Sequence, residues 1–347
     1  MNALPLAWGP PPASGRIRVE PEDFQVDEVL GFAPDGAGSH ALLLVEKRGA
    51  NSGWVAARLA RAAGVPVRDV GFSGHKDRAA LTRQYYSLPL RAGADATGWT
   101  GFTGEGFRVL EAQAHGRKLR AGTHRANHFR IVIRELEGDA DAIAARLACV
   151  ARGGVPNYFG PQRFGRSGAN LYRARDWATG RLEPRDRSGR SFALSAARSE
   201  LFNSVLARRV ERGDWNRLLP GEAAMLDGRR SYFRVDTIDA ALIERCDLQD
   251  VHPSGPLHGR GDSPAGDAVA ALEGEVLATE PALAALLEAQ GLEHERRSLR
   301  VPLHAFDWRL CAGGLELAFE LPRGAFATAV LHELLRDVWD ASEAAED

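Results

Sequence analysis

The sequence predicts an α+β protein in which a mixed-sheet domain, residues 1–156 and 301–347, is interrupted by an inserted α/β domain, residues 157–300. Three observations predict this fold. Short apolar runs that alternate with polar residues, the pattern of half-buried strands, occur before residue 135 and again after residue 300. The interval between them is dominated by Arg, Ala and Leu at helical spacing. The chain of 347 residues is also longer than one hydrophobic core usually organises.

Strand and helix signals alternate in the first half of the chain. Two apolar runs within residues 16–47 are separated by Pro21 and a glycine-rich segment, so they predict strand, turn and strand. Apolar residues at helical spacing predict a helix over 52–64. Further strands are predicted at 84–90, 107–113 and 128–134, and a further helix at 139–152.

The second half has a different character. Its helical segments are interrupted by a loop rich in Gly, Pro and Asp at 252–266. Alternating strand signals return over 301–322, and an apolar helical pattern follows over 325–339. A sheet that resumes after a largely helical interval indicates an inserted domain rather than two domains in tandem.

Composition places the chain among globular proteins. Hydrophobic residues make up 44% and charged residues 26%, which excludes a disordered or fibrous chain. Cys149, Cys246 and Cys311 are far apart and lack CxxC spacing, which argues against a disulfide framework or a structural zinc site. Residues 1–15 contain no secretory signal, and no stretch reaches the ~20 apolar residues of a membrane helix. We therefore expect a soluble, cytoplasmic protein with no membrane partner.

Charge is unevenly distributed along the chain. The formal net charge of −2 argues by itself against a nucleic-acid partner. Residues 71–134, however, contain eleven Lys and Arg against four Asp and Glu, a local balance of +7. Such a segment is a candidate phosphate-binding surface.

The segment GFSGHKDRAALTRQYYSL, residues 71–88, contains the most informative chemistry. Its glycines allow unusual backbone torsions, and Asp77 stands between Lys76 and Arg78. Neighbouring cations favour the ionised form that a carboxylate nucleophile requires. A solvated turn with mixed charges has the same pattern, and spacing alone leaves both interpretations open.

This segment closely resembles the signature of the TruD family of tRNA pseudouridine synthases. Five further blocks resemble the family in the same order along the chain: PEDFQVDEVLGF (21–32), HGRKLRAGTHRANHFRIVIR (115–134), GVPNYFGPQRFGRSGANL (154–171), LSAARSELFN (194–203) and LPRGAFATAVLHEL (321–334). The resemblance implies a pseudouridine synthase catalytic domain with a family-specific insertion, and Asp77 as nucleophile. It also implies isomerisation of a uridine, expected to be uridine 13 of the D arm of certain tRNAs, without metal or cofactor. One position departs from the family pattern, because Ala126 stands where the family usually has Gly.

Three further residues acquire roles from the resemblance. Arg18 is implied as the ion-pair partner of Asp77, although a surface arginine at a strand edge is its alternative. Phe129 is implied to pack on the target uracil, although the alternation in HFRIVIR also fits an ordinary core residue. Asn127 is implied to orient either Asp77 or the substrate.

Basic residues near these motifs are predicted to bind RNA. The run HGRKLRAGTHRANHFR has no acid. In NYFGPQRFGR, Tyr158, Phe159 and Phe164 stand among arginines, a mixture suited to stacking on bases and neutralising phosphate. A solvated face and an interdomain hinge packed by aromatics are the respective alternatives. The predicted RNA contacts are Lys76, Arg78, Arg83, Arg117, Lys118, Arg120, Arg125, Arg163 and Arg166.

Metal, redox and rival functions are less well supported. His252 and His258 have no third ligand at metal spacing, and no dinucleotide or phosphate-loop motif occurs. An RNA N-glycosylase or nucleoside hydrolase would be favoured by paired carboxylates, but a single acid stands among bases here. A non-catalytic RNA-binding protein would need the basic run but not Asp77. No protein partner is inferred.

Overall fold

The computed structural model describes residues 4–91 and 93–340, and for residues 337–340 the backbone alone. Residues 341–347, the end of the predicted mixed-sheet domain, lie outside the described residues. The strands are β1 (Ala13–Ile17), β2 (Phe24–Leu30), β3 (His40–Arg48), β4 (Gly71–Phe72), β5 (Leu81–Pro89), β6 (Thr103–Gly104), β7 (Phe107–His115), β8 (His124–Gly138), β9 (Val155–Pro156), β10 (Glu222–Leu226), β11 (Tyr232–Val235), β12 (Val251–His252), β13 (Ser254–Leu257), β14 (Glu295–Ser298), β15 (Arg300–Val301), β16 (His304–Cys311), β17 (Gly314–Pro322) and β18 (Leu335–Asp340). The helices are α1 (Ser52–Ala63), α2 (Ala140–Gly153), α3 (Ala169–Ala178), α4 (Arg187–Glu211), α5 (Ala240–Asp247), α6 (Asp267–Leu277), α7 (Pro281–Ala289) and α8 (Ala327–Leu334).

The chain divides into two compact units, each made of several stretches. The sheet unit consists of Ala13–Ala140, His304–Gly324 and residues 337–340. The helical unit consists of residues 4–12, Asp141–Leu303 and Ala325–Arg336. Helix α8 and nearly all of α2 therefore belong to the helical unit, although the predicted insertion begins at 157 and ends at 300. The inserted domain with those boundaries stays a prediction.

One large sheet organises the sheet unit. Its strand order is β16-β17-β8-β2-β5-β3-β7-β6, with β1 beside β8 and β4 beside β5. Strands β2 and β5 run parallel, while β3 is antiparallel to both β5 and β7, and β8 is antiparallel to both β2 and β17. A parallel pair needs a long crossover, which here includes β3 and α1. The predicted mixed sheet is confirmed.

Alternation along the strands determines which face of this sheet is buried. In β3, Ala41, Leu43 and Val45 lie on one face because successive side chains point to opposite sides. Helix α1 contributes Val55 and Leu59, one turn apart, to the same apolar cluster. Burial of a side chain of this size stabilises the fold by about 1.5–3 kcal/mol. The helix predicted over 52–64 thus forms because its apolar stripe covers the sheet.

Helix packing organises the helical unit. The long helix α4 begins after Asp186, whose side chain caps it by accepting from the backbone N–H of Gly189. It presents Ala193, Ala196 and Ala197 to the same core that contains Leu171 and Ala174 of α3. These small side chains at helical spacing let the two helices approach closely, since no bulky group separates their backbones.

The predicted helix over 325–339 is wrong in its second half. Helix α8 ends at Leu334, and Leu335 has φ −122° and ψ 127°, an extended conformation. The chain then continues as β18, which pairs with β1. Backbone hydrogen bonds to a strand more than 300 residues earlier outweigh the local helical pattern there. The other predicted helices and strands are confirmed within a few residues at their ends. The loop predicted over 252–266 is wrong in its first part, because Ser254–Leu257 form β13, which pairs with the distant strand β14.

Candidate active site

The loop between β4 and β5, residues 73–80, contains the predicted nucleophile, and its backbone is held by side chains beneath it. Gln84 donates from Nε2 to the carbonyl oxygen of Gly74 at 2.6 Å. Ser52 Oγ accepts from the backbone N–H of Lys76 at 3.0 Å and donates to Gln84 Oε1 at 2.7 Å. The loop therefore rests on β5 and on the first turn of α1.

Arg18 and Asp77 form an ion pair at this loop. Arg18 Nη2 donates to Asp77 Oδ2 at 2.8 Å, and the side chains are 5% and 31% exposed, respectively. Asp77 Oδ1 accepts from the backbone N–H of Ala79 at 3.1 Å. Arg18 has φ 53°, a left-handed conformation that costs a residue with a side chain about 1–2 kcal/mol. The strained turn after β1 aims a buried cation at a carboxylate that solvent can still reach.

Aromatic rings connect this ion pair to β8. The guanidinium carbon of Arg18 lies 4.0 Å from the centre of the Phe24 ring. Phe24 meets Phe129 edge to face at 6.1 Å, and Phe129 stacks on Phe319 at 5.4 Å. Phe129 is therefore buried among other rings, as its core alternative predicts, while remaining one ring away from Arg18. Its contact with a uracil stays a prediction.

Asn127 lies two residues before Phe129, opposite Glu28 in the β2–β8 register. Its Nδ2 lies 3.5 Å from Nε2 of His124, and its Oδ1 is buried without a partner among the described residues. Burial, and then the charge of Lys76, lowers the pKa of His124, so this imidazole is neutral near pH 7. Within the described residues Asn127 forms no hydrogen bond with Asp77, so the substrate is the better candidate for its polar group.

Lys76 is turned away from solvent. Its Nζ donates to Glu28 Oε2 at 2.7 Å, with side chains that are nearly or fully buried. Glu28 Oε1 also accepts from the backbone N–H of Tyr85 at 3.3 Å. The sequence predicts an RNA contact for Lys76, but its ammonium is occupied by a carboxylate inside the protein. We therefore assign it to the support of the loop.

Lys47 is a site residue that the sequence prediction missed. It is 1% exposed, and its Nζ donates to the carbonyl oxygen of Asp77 at 2.7 Å. A signal was present in the alternation, because Lys47 has the same parity as Leu43 and Val45, which face the core. Glu28 likewise shares the buried face of β2 with Phe24 and Val26. The alternation along β2 and β3 therefore places a charged residue at a buried position in each strand, and this pattern could have identified both.

Two of the predicted RNA contacts in the sheet unit are paired with acids. Arg83 lies between Glu46, at 3.0 Å, and Asp27, at 3.4 Å. Arg125 pairs with Glu320 at 3.1 Å. These arginines remain partly exposed, but an RNA phosphate would compete with a carboxylate for each.

The other predicted contacts of the sheet unit are more available. Lys118 donates from Nζ to the backbone oxygen of Arg68. Arg78 is exposed. The side chains of Arg117 and Arg120 are exposed and form no hydrogen bond or ion pair with any described residue. Arg117 and Arg120 thus keep their full charge free for an anionic partner.

Arg163 and Arg166 belong to the helical unit. Arg163 donates to Ser195 Oγ at 2.9 Å and lies 5.1 Å from the ring centre of Phe159, and burial lowers its pKa. Arg166 is exposed. The aromatic residues predicted to stack on bases beside them are buried in the core of this unit, which favours packing as their role: Tyr158, Phe159 and Phe164.

Within residues 4–91 and 93–340, no group of three or more His, Cys, Asp and Glu side chains could hold a metal ion. No helix in the same part of the chain has the length and apolar character needed to cross a membrane.

Comparisons with known proteins agree on one family. The family model for tRNA pseudouridine synthase D (TruD) matches residues 1–174 and 185–334. The chain is 46% identical over 335 residues to the tRNA pseudouridine synthase D of Nitrosococcus oceani, covering 95% of this chain and 94% of that protein. It is 46% identical over 338 residues to the protein of the same name from Azotobacter vinelandii, covering 97% and 95%. A crystal structure from Methanosarcina mazei described under the name tRNA pseudouridine synthase D has a TM-score of 0.71 at 20% identity, with 96% of each chain covered, and so shares the fold.

These matches place the chain in the class of isomerases, enzymes whose product contains the same atoms as the substrate. The chain belongs to the tRNA pseudouridine synthase D family. The match covers both units, because it includes residues 13–140 and most of residues 141–303.

Proposed function

We propose that this chain isomerises a uridine of transfer RNA to pseudouridine with Asp77 as the nucleophile. The observation that carries the proposal is the 2.8 Å ion pair between Arg18 and an Asp77 side chain that remains 31% exposed. A carboxylate that is ion-paired on one oxygen and accessible to solvent is suited to meet a sugar carbon. Family membership supports the same reaction and a tRNA substrate, for which we expect uridine 13 of the D arm. We place the enzyme in the cytoplasm, where that substrate is found.

The reaction requires three changes in the target nucleotide. The bond between C1′ and N1 breaks, the freed uracil turns, and a bond forms between C1′ and C5. The proton on C5 leaves and N1 gains one, so the product has the same atoms as the substrate. On one route Asp77 attacks C1′ as uracil leaves, and the Asp77–C1′ bond breaks when C5 bonds to C1′. On the other route Asp77 takes the C2′ proton as uracil leaves, and the glycal regains that proton when C1′ bonds to C5. An anionic oxygen is needed on both routes.

Arg18 and two residues of β8 would prepare this step. Arg18 holds the carboxylate in place through Oδ2 and balances its charge, while Oδ1 accepts from the backbone N–H of Ala79. Oδ1 of Asn127, buried and unpartnered among the described residues, is an acceptor for a donor on the base. Phe129 supplies an apolar surface beside it. A target uridine must leave its stack to reach such a site, at a cost of roughly a few kcal/mol that contacts with the base and backbone offset.

The basic run provides the backbone contacts in this proposal. Arg117, Lys118 and Arg120 lie in the turn before β8, the strand that contains Asn127 and Phe129. Phosphate contacts of this type supply affinity and strong salt dependence without reading sequence. Arg78, Arg83 and Arg125 extend the run, and we assign the same role to Arg163 and Arg166 of the helical unit.

The test compares the parent with Asp77→Asn on unmodified tRNA. Asn keeps the shape and size of the side chain but removes the anionic oxygen, so RNA binding should persist while turnover is lost. Because uridine and pseudouridine have equal mass, the assay follows release of tritium from C5 or a chemical tag specific to pseudouridine. We expect at least a ~10³-fold lower rate, in line with the loss of a nucleophile.

Other outcomes would contradict the proposal in distinct ways. Free uracil and an abasic RNA would identify an N-glycosylase. Unchanged RNA from the parent, with tight binding, would identify a non-catalytic RNA-binding protein. Substantial pseudouridine from the Asn variant would remove Asp77 as nucleophile.

A further inference from the structure

Lys47 lies beneath the loop that presents Asp77. It occupies the second-last position of β3, opposite Thr82 of β5 and Phe107 of β7. Its side chain is 1% exposed, and Nζ donates to the carbonyl oxygens of Asp77 at 2.7 Å and of Lys76 at 3.4 Å. One ammonium thus holds two consecutive carbonyls, those on either side of the nucleophile's own Cα.

No acid of the described chain is ion-paired with this ammonium. The charged groups nearest to it are Lys76 and Asp77 on the loop, and both have other partners: Lys76 pairs with Glu28, and Asp77 with Arg18. The neighbours of Lys47 along β3, Glu46 and Arg48, point to the opposite face of the strand and pair with groups there. The buried cation is therefore held by backbone dipoles and by attraction to the Asp77 carboxylate alone.

Such an arrangement is costly for folding. A buried ammonium without a paired acid loses its hydration, and two carbonyl oxygens replace it only in part. Burial is the main cause that lowers the pKa of Lys47 to about 8, with the charge of Lys76 acting in the same direction and Asp77 opposing both. Because the pKa in the folded state lies below the ordinary value, the folded state binds fewer protons than the unfolded one above about pH 8. Below that pH the buried lysine stays charged and lowers the stability of the fold. A contribution to stability therefore does not explain why a lysine occupies this position.

We propose that Lys47 is a positioning residue for pseudouridine formation: its ammonium fixes the backbone on both sides of Asp77 and holds the carboxylate in place for the reaction at C1′. This inference rests on the proposed role of Asp77. Lys47 does not touch the substrate and acts only through the loop. A displacement of about 1 Å at a reacting group can lower a rate by about 10²-fold, so a fixed backbone has a large effect on turnover.

The experiment compares the parent, Lys47→Met, Val45→Ala and Asp77→Asn. Met keeps the length of the lysine stem but has no charge, and Ala at position 45 disturbs packing on the same buried face of β3 two residues away. Single-turnover rates are measured with enzyme in excess over unmodified tRNA, from about pH 6.5 to 9.5, together with the Kd for that tRNA and the melting temperature of each protein.

For Lys47→Met we expect a rate about 10- to 100-fold lower than the parent at pH 7, with Kd within about two-fold. The parent rate should fall as pH rises through about 8, since the ammonium is lost there, and the variant should lack that decline. Titration of the RNA itself occurs in both profiles and cancels in the ratio of the two rates. The melting temperature of Lys47→Met should be no lower than that of the parent, whereas Val45→Ala should melt earlier and keep the parent's rate and profile.

Two results would overturn the inference. One is a parent-like rate and alkaline decline in Lys47→Met. The other is a slow Lys47→Met variant with a lowered melting temperature, if Val45→Ala shows the same loss of rate at the same drop in melting temperature. That result would make Lys47 a structural residue only. An active Asp77→Asn variant would contradict the proposed function, whatever Lys47→Met does. A failure of the proposed function can therefore be distinguished from a failure of this inference.

Discussion

Two sets of buried charges, one in each unit, are arranged differently. In the helical unit, Arg209 is 1% exposed and pairs with both Glu222 and Asp214, and Arg296 pairs with Glu273 through two nitrogens. In the sheet unit, Lys47 has carbonyl partners only, and the partner of Arg18 is an aspartate that solvent reaches. The first arrangement pairs each of these two arginines with a carboxylate inside the protein. The second leaves charge available to a substrate, which is the arrangement expected of an active site.

The largest expected effect is structural and concerns the helical unit. Arg209→Met should lower the free energy of unfolding by about 3–5 kcal/mol, because it leaves the buried Glu222 without its partner. Burial already raises the pKa of Glu222 despite the nearby arginines, which shows how costly its charge is. Denaturant unfolding followed by circular dichroism measures the change. The rate of turnover per folded molecule should equal the parent's. A lower rate per folded molecule would mean that this ion pair of the helical unit also affects catalysis.

Arg18→Met should have the opposite effects, with little change in stability and a large loss of rate. Met retains an apolar stem against Phe24, and Asp77 can be hydrated once its partner is removed, so stability should change little. The rate of pseudouridine formation should fall about 10²-fold, the range seen when a preorganised charge is removed from an active site. Single-turnover kinetics with tritiated tRNA measures it. A variant that unfolds readily yet turns over normally would place Arg18 with the structural ion pairs.

The smallest expected effect concerns three cations in the turn before β8. The triple variant Arg117→Ala, Lys118→Ala, Arg120→Ala should bind tRNA more weakly, and its log Kd should depend less steeply on log salt, by about one unit for each phosphate that the variant no longer neutralises. Filter binding at several salt concentrations measures both quantities. Arg181→Ala provides a matched control, since Arg181 is exposed but ion-paired with Asp176 in the helical unit. An unchanged salt slope in the triple variant would make the run a solvated face.

The local sequence pattern was sufficient to predict most helices and strands, but it was insufficient to predict the roles of several residues. Helix α1 and strands β5, β7 and β8 follow from periodicity, because spacing reports directly on which face is buried. For Tyr158 and Phe164 the sequence leaves stacking on RNA bases and packing of aromatics both open, since an aromatic residue among arginines has the same pattern in either place. Both residues lie in a core, which favours packing. The predicted end of α8 is wrong for a similar reason, as its competing strand partner is distant in the chain.

The sequence by itself determined the mixed sheet, the family and the identity of the candidate nucleophile, because these depend on periodicity and on motifs contained within a few residues. Only the tertiary structure decided what surrounds that nucleophile. Arg18 and Asp77 are 59 positions apart and Lys47 and Asp77 are 30 apart, and the register of β3 and β5 brings the latter pair together. Alternation predicts that a lysine faces inward, but only the strand pairing determines which backbone it meets there. Long-range hydrogen bonding therefore converted an ordinary strand residue into support for the active-site loop.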